Sequence, residues 1–270
     1  MNEEDKLATR KRRHKKIRLG LDLQRTKYIL PNLFTLSSIF FGFATILLLA
    51  HDQSEVAFRK AVICLSFALF CDIVDGRVAR LTKTQSQFGL QLDSLADAIS
   101  FGVVPGFMIY QLTLHQLGAL GVFLSFLFVA CGALRLARFN VLAQKEESSC
   151  RYFIGLPIPL AAGMIVALSI VFPKESATHV QSLLAGGLTL ALSYLMVSNV
   201  KYRTFKKMGS KRQSLLFYSI GSLSFVLIFF LVNPAAAFFS FFGGYVLLGI
   251  IESLFRLFFK NKKQAISSVS

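Results

Sequence analysis

A chain of 270 residues that is 54% hydrophobic, with a mean hydropathy of +0.58, carries more apolar side chain than one or two water-soluble domains need to fill their cores. Several windows reach the roughly 20 apolar residues that cross a bilayer, so the composition predicts an all-α, polytopic membrane helix bundle. The net charge of +16 does not point to nucleic acid. It is gathered in flanks, where Lys and Arg stay on the cytoplasmic side and attract anionic headgroups.

In chain order, residues 1–28 form a basic cytoplasmic N-terminal segment, with Arg10, Lys11, Arg12, Arg13, Lys15, Lys16 and Arg18 close together. The stretch 17–29 mixes Arg and Lys with Leu and Tyr and suits a helix lying on the membrane surface, although Gly20 weakens it. A cleavable signal peptide is not expected, because the first apolar run starts late, near Ile29, and exceeds the length of an h-region. Membrane spans are expected at about 31–50, 56–81, 88–112, 117–143, 157–172, 180–200, 214–232 and 235–259. They make up a membrane domain over 29–260, followed by a cytoplasmic tail at 261–270. About eight spans with both ends inside fit the charges; six remain the alternative if two late segments are misread. Cys64, Cys71, Cys131 and Cys150 form no CxxC pair and read as buried small residues rather than disulfides or zinc ligands.

Orientation follows from the same bias. With the N-terminus inside, the connections 82–87, 144–156 and 201–213 and the C-terminus hold most loop charges, whereas the opposite connections contain a single lysine, Lys174. Arg59 and Lys60 are the awkward pair, expected to mark the outer end of the second span and to snorkel outward.

The chemistry is concentrated in four acids. Asp72, Asp75, Asp93 and Asp97 are the only Asp or Glu between Glu55 and Glu146, and all lie in apolar surroundings. Each ionised carboxylate at mid-bilayer costs about 3 kcal/mol on insertion scales. On a helix, Asp72, Asp75, Gly76 and Ala79 share one stripe, and Gly89, Asp93 and Asp97 form an i, i+4, i+8 stripe on the next. Two antiparallel helices can press these stripes together, and Gly76, Ala79 and Gly89 let the backbones approach or admit a ligand. An oxygen-lined site without His or Cys favours hard cations such as Mg²⁺, Mn²⁺ or Ca²⁺, and four carboxylates suffice for two ions. The competing reading is a set of helix-end acids paired with Arg77, Arg80 and Lys83.

The full pattern, D-x2-D-G-x2-A-R-x8-G-x3-D-x3-D, fixes eight positions over the 26 residues 72–97. It resembles the signature of the CDP-alcohol phosphatidyltransferases, with every position present. The resemblance implies a six-helix family core plus two further spans. It also implies a metal-dependent enzyme, with Mg²⁺ or Mn²⁺ and two ions expected, that moves a phosphatidyl group from a CDP-linked lipid to an alcohol and releases CMP. It makes Asp72, Asp75, Asp93 and Asp97 the metal ligands and Asp97 also the general base. Gly76, Ala79, Arg80 and Gly89 then line the CDP-lipid site, with Asn32 beside them on resemblance alone. A homodimer at the bacterial inner membrane, with its active site at the cytoplasmic face, is implied in the same way.

The acceptor is narrowed by further segments: Pro31, Asn32 and Thr35; 100–105; Arg135, Arg138 and Asn140; Gly155, Pro157 and Pro159; and 195–202. Over residues 28–206 these resemble the integral-membrane bacterial phosphatidylserine synthases, implying CDP-diacylglycerol and L-serine as substrates. Arg135 and Arg138 are one turn apart, and either can hold a serine carboxylate through a planar, bidentate donor set; both also read as positive-inside anchors. Asn140 can contact the amino acid or close the loop. Two rivals stand: a family member using glycerol-3-phosphate or inositol phosphate, and a divalent-cation transporter using the aspartates as an ion path.

Overall fold

A computed structural model describes residues 29–82, 86–145, 152–172 and 178–203, together with the isolated positions 240, 242–244, 246 and 249. The expected N-terminal surface helix, the spans at 214–232 and 235–259 (apart from those isolated positions) and the C-terminal tail lie outside the described residues.

The architecture is a helix bundle. Its elements are α1 (Ile29–His51), α2 (Glu55–Leu81), α3 (Gln87–Asp97), a π turn (Ala98–Val103), α4 (Val104–Leu112), a 3-10 turn (Leu114–Leu117), α5 (Ala119–Lys145), α6 (Ile158–Val171) and α7 (His179–Val197). Two three-residue strands, β1 (Tyr152–Ile154) and β2 (Lys201–Arg203), pair antiparallel with Phe153 opposite Tyr202. Among the described residues, four segments are long and apolar enough to cross a membrane: 29–51, 87–112, 119–142 and 179–197. The 27-residue α2 is long enough but carries Arg59, Lys60, Asp72, Asp75, Arg77 and Arg80, and α6 is apolar but has only 14 residues.

Local chemistry sets the boundaries. Asp52 accepts from both the backbone N–H and the hydroxyl of Ser54, and those bonds hold its carboxyl below the ordinary value. Ser54 in turn caps α2 by accepting from the Ala57 N–H. Arg59 pairs with Glu55 one turn earlier in α2, at the end away from the aspartates. Thr178 and Gln181 form a capping box at the start of α7.

The third span is not the uniform helix expected from its hydropathy. The Val104 N–H reaches back five residues to the Ile99 carbonyl, and Pro105 follows with no N–H to offer. A proline within an α-helix loses one bond and crowds the carbonyl four residues earlier. The π turn absorbs that conflict by taking in an extra residue, as such turns do. The fourth span also starts later than expected, because Gly118 turns the chain at φ 56° before Ala119.

The core joins the π turn, α4, α5, α6 and α7 through Phe101, Met108, Phe128, Ile158, Ile165 and Leu192, all buried. The outward face of α1 is a stripe of Ile29, Leu33, Leu36, Phe40, Phe43 and Leu47, which suits contact with lipid. At the end away from the aspartates, the buried Thr113 and Ser182 hydroxyls lie 2.7 Å apart, and Ser182 donates to Gln116. At the aspartate end, the ribbon and Gly155 tie the start of α6 to the end of α7: the Gly155 N–H donates to Val200 O and Leu156 to Leu195 O.

Gly155 has φ 80°, and a Cβ there would overlap the Met196 carbonyl oxygen. Gly187, in the middle of α7, has nothing within 4 Å of an added Cβ. Thermal melting in detergent is therefore expected to move in opposite directions: Gly155→Ala destabilises by at least about 1–2 kcal/mol, whereas Gly187→Ala stabilises by about 0.4–1 kcal/mol.

Candidate active site

The four aspartates come from two consecutive helices: Asp72 and Asp75 near the C-terminal end of α2, and Asp93 and Asp97 in α3. Asp72, Asp75 and Asp93 each offer a carboxylate oxygen within 4.8 Å of the other two. The Asp97 carboxyl lies within hydrogen-bond reach of that of Asp72. Its Oδ1 is buried and has no hydrogen-bond partner among the described residues. Asp75 is the most enclosed, at 3% exposure.

At about 4 Å and an effective dielectric constant of about 20, two like charges repel by about 4 kcal/mol. Three such pairs are comparable with the whole stability of a typical domain, about 5–15 kcal/mol. The cluster therefore demands cations or protons. Its donors are all oxygen, and one of them is an orphaned buried carboxyl oxygen, a set that fits a hard divalent ion.

Neighbouring helices hold this arrangement. Thr35 of α1 donates to Asp75 Oδ2 at 2.7 Å. Ser86 caps α3 by accepting from the Gly89 N–H at 2.9 Å. A Cβ on Gly89 would lie 3.1 Å from that Ser86 hydroxyl and 3.6 Å from Asn32 Oδ1. The starts of α1 and α3 thus meet at Gly89, bringing Asn32 to the margin of the acidic pair of helices. Gly76 and Ala79 are half-buried. The Arg80 guanidinium is exposed and folds back so that Nε donates to the Gly76 carbonyl at 2.7 Å, leaving it on the helix surface beside the glycine rather than over an aspartate.

The three polar residues at the C-terminal end of α5 separate. Arg135 is enclosed at 9% exposure, its charge acts on Asp97, and its guanidinium carbon lies 5.9 Å from the centre of the Phe139 ring. Arg138 turns to the end of α7, donating to Val197 O at 3.2 Å and Asn199 Oδ1 at 2.7 Å. It thereby satisfies a carbonyl left open at a helix C-terminus. Asn140 donates to the Ser94 hydroxyl at 2.9 Å, between the two aspartates of α3. Of the three, Arg135 is the one whose charge acts on an aspartate. Thr35 and Ser94 are the polar contacts that spacing did not single out as site residues. Thr35 stood in the Pro31–Thr35 segment, but only the folded helices reveal which carboxylate it meets.

The family model for CDP-alcohol phosphatidyltransferases matches residues 28–205. The chain belongs to the CDP-alcohol phosphatidyltransferase family. The match begins just before α1 and ends just after β2, so it takes in every described helix that shapes the acidic cluster. Among similar proteins, CDP-diacylglycerol–serine O-phosphatidyltransferase of Helicobacter pylori is 38% identical over 243 residues, covering 88% of this chain and 98% of the relative. The protein of the same name from Bacillus subtilis is 37% identical over 178 residues, covering 66% of this chain and 92% of the relative. Archaetidylserine synthase of Methanothermobacter thermautotrophicus is 35% identical over 193 residues, covering 70% and 76%.

The Ser94–Asn140 contact locks α5 to α3 within the matched region. Ser94→Ala and Asn140→Ala are expected to lower the melting temperature by similar amounts. The double variant is expected to fall no further than either alone, giving a coupling of about 0.5 kcal/mol or more in a double-mutant cycle. Simple additivity would show that the two side chains act separately.

Proposed function

We propose that this chain transfers a phosphatidyl group from CDP-diacylglycerol to the hydroxyl of L-serine, giving phosphatidylserine and CMP. The observation that carries this reading is the convergence of Asp72, Asp75 and Asp93 oxygens within 4.8 Å of one another in a chain whose family relatives bear that activity in their names. Asp72, Asp75, Asp93 and Asp97 would hold the divalent metal, Mg²⁺ or Mn²⁺, as two ions. When bound, such ions neutralise a pyrophosphate and stabilise the phosphate of departing CMP.

The chain's own groups do the rest. Asp97 takes the proton from the serine hydroxyl, because an alcohol is a weak nucleophile until that proton is removed. The serine oxygen then bonds to the phosphorus that carries diacylglycerol. The bond from that phosphorus to the bridging oxygen breaks, CMP leaves with the electron pair, and the proton on Asp97 passes to solvent. Gly76, Ala79 and Gly89 leave room for the nucleotide between α2 and α3, with Asn32 at the margin, and Arg80 supplies a fixed positive charge toward phosphate oxygens. Arg135, Arg138 and Asn140 are the candidates for the amino acid, and Arg138 and Asn140 are engaged by Val197, Asn199 and Ser94. The enclosure of Arg135 and the action of its charge on Asp97 support it as the carboxylate partner, because a serine held by it would bring its hydroxyl toward the base.

The same reading extends to the whole molecule. It has about eight spans, a six-helix core plus two, within a membrane domain over 29–260. A basic cytoplasmic segment at 1–28 precedes that domain and a cytoplasmic tail at 261–270 follows it. Charge bias supports both ends inside and an active site at the cytoplasmic face; a homodimer in the bacterial inner membrane rests on the family resemblance.

The test is CMP release by purified protein supplied with CDP-diacylglycerol, with serine, glycerol-3-phosphate or inositol phosphate offered in parallel, under Mg²⁺, Mn²⁺ or EDTA. Serine-dependent release abolished by EDTA is expected. Release with a phosphorylated alcohol instead would move the acceptor, and metal flux across liposomes without CMP would replace the reaction by transport. Asp97→Asn is expected to cut transfer by about 10²–10⁴-fold while CDP-diacylglycerol still protects the protein against thermal unfolding. Ordinary turnover in that variant would refute Asp97 as the base.

A further inference from the structure

The inward face of α1 carries hydroxyls where a membrane helix needs none. Pro31, Thr35, Ser38, Gly42, Thr45 and Leu49 recur three or four residues apart and are buried. A buried hydroxyl needs a partner, and the three on this face find different ones. Thr45 returns to the Phe41 carbonyl at 2.9 Å, the ordinary local solution within a helix. Ser38 pairs with Ser100 of the π turn at 3.2 Å. For Thr35 the local solution is also present, with Pro31 O at 3.2 Å, but Asp75 Oδ2 is nearer at 2.7 Å. A hydroxyl has one proton to give, and a carboxylate is the stronger acceptor, so the proton goes to Asp75. Both partners are almost fully enclosed, Thr35 at 4% and Asp75 at 3% exposure.

We propose that Thr35 is a positioning residue for the cation site: by holding one oxygen of Asp75 it fixes the rotation of that carboxylate and presents the other oxygen to a divalent ion. The proposal rests on the cation reading given under the proposed function. A carboxylate without this bond rotates about its last torsion and has to be ordered when the ion arrives, whereas a held one has already lost that freedom. Groups that orient a metal ligand in this way typically change metal affinity by about 10–100-fold when removed. The role is separate from helix packing, because the Ser38–Ser100 contact, one turn further along α1, fastens the same helix without touching an aspartate.

The experiment is direct Mn²⁺ binding, read by electron paramagnetic resonance of free Mn²⁺, to the full-length protein in detergent without lipid substrate. Wild type, Thr35→Val, Thr35→Ser, Ser38→Ala and Asp75→Asn are compared, with melting temperature as the check on folding. Thr35→Val keeps the branched shape and removes the hydroxyl; it is expected to weaken Mn²⁺ binding by about 10-fold or more. Thr35→Ser is expected to restore it, and Ser38→Ala to leave it unchanged. In an Asp75→Asn background, Thr35→Val is expected to add no further loss. Equal affinity in Thr35→Val and wild type overturns the positioning role while the cation site stands. Wild type binding no better than Asp75→Asn overturns the cation site, and the proposal with it. If Thr35→Val does not fold, Thr35→Cys, with a similar volume and only a weak S–H donor, is read against the same outcomes.

Discussion

Mutual repulsion among enclosed carboxylates is the constraint around which the described bundle is arranged. Three aspartates whose oxygens lie within 4.8 Å of one another form a poor core, and nothing in the surrounding apolar residues compensates for them. Neighbouring groups fix some of these carboxyls in place. Asp75 is held from α1, the carboxyls of Asp72 and Asp97 face each other, and a buried arginine of α5 acts on Asp97. The helices that meet here gain their stability elsewhere, in the apolar contacts of Phe101, Phe128 and Ile158 and in the capped turns at the far end. The acidic end is thus a strained insert supported by a conventional core, the usual relation between a functional site and its scaffold.

Much of the fold was legible because lipid-spanning helices announce themselves by length. The expected spans from residue 31 to residue 200 correspond to six helical stretches with ends displaced by a few residues, four of them long and apolar enough to cross a membrane. What escaped was anything that hydropathy cannot register. An extra residue per turn at 98–103 leaves the apolar count of the third span unchanged. The short β1–β2 ribbon lies in connections that read as polar loop, and its pairing joins residues about fifty positions apart in sequence. Strands of three residues offer too little period to detect.

The candidate site was legible to a different degree. Carboxylates placed three and four residues apart on consecutive helices define two faces, and helical geometry requires those faces to meet if the helices are antiparallel neighbours. That argument brought Asp72, Asp75 and Asp93 together before any coordinates. It could not distinguish Arg135 from Arg138. Both sit on one helix, a turn apart, and only the folded bundle shows that one guanidinium is engaged at the end of α7 while the other is enclosed and its charge acts on Asp97. Nor could it assign partners to Thr35 or Ser94, since a hydroxyl in a helix has a local acceptor available whatever the tertiary structure does.

The π turn carries a consequence for how the third span divides its work. Val104 reaching back to Ile99 inserts a phase slip into the screw of the helix, so the half that bears Asp93 and Asp97 and the half that bears Met108, Ile109 and Leu112 do not share a common angular origin. Each half can point its own side chains where its neighbours require, like two gears on one shaft keyed independently. Changes that repack the apolar half need not swing the acidic half off its bearing.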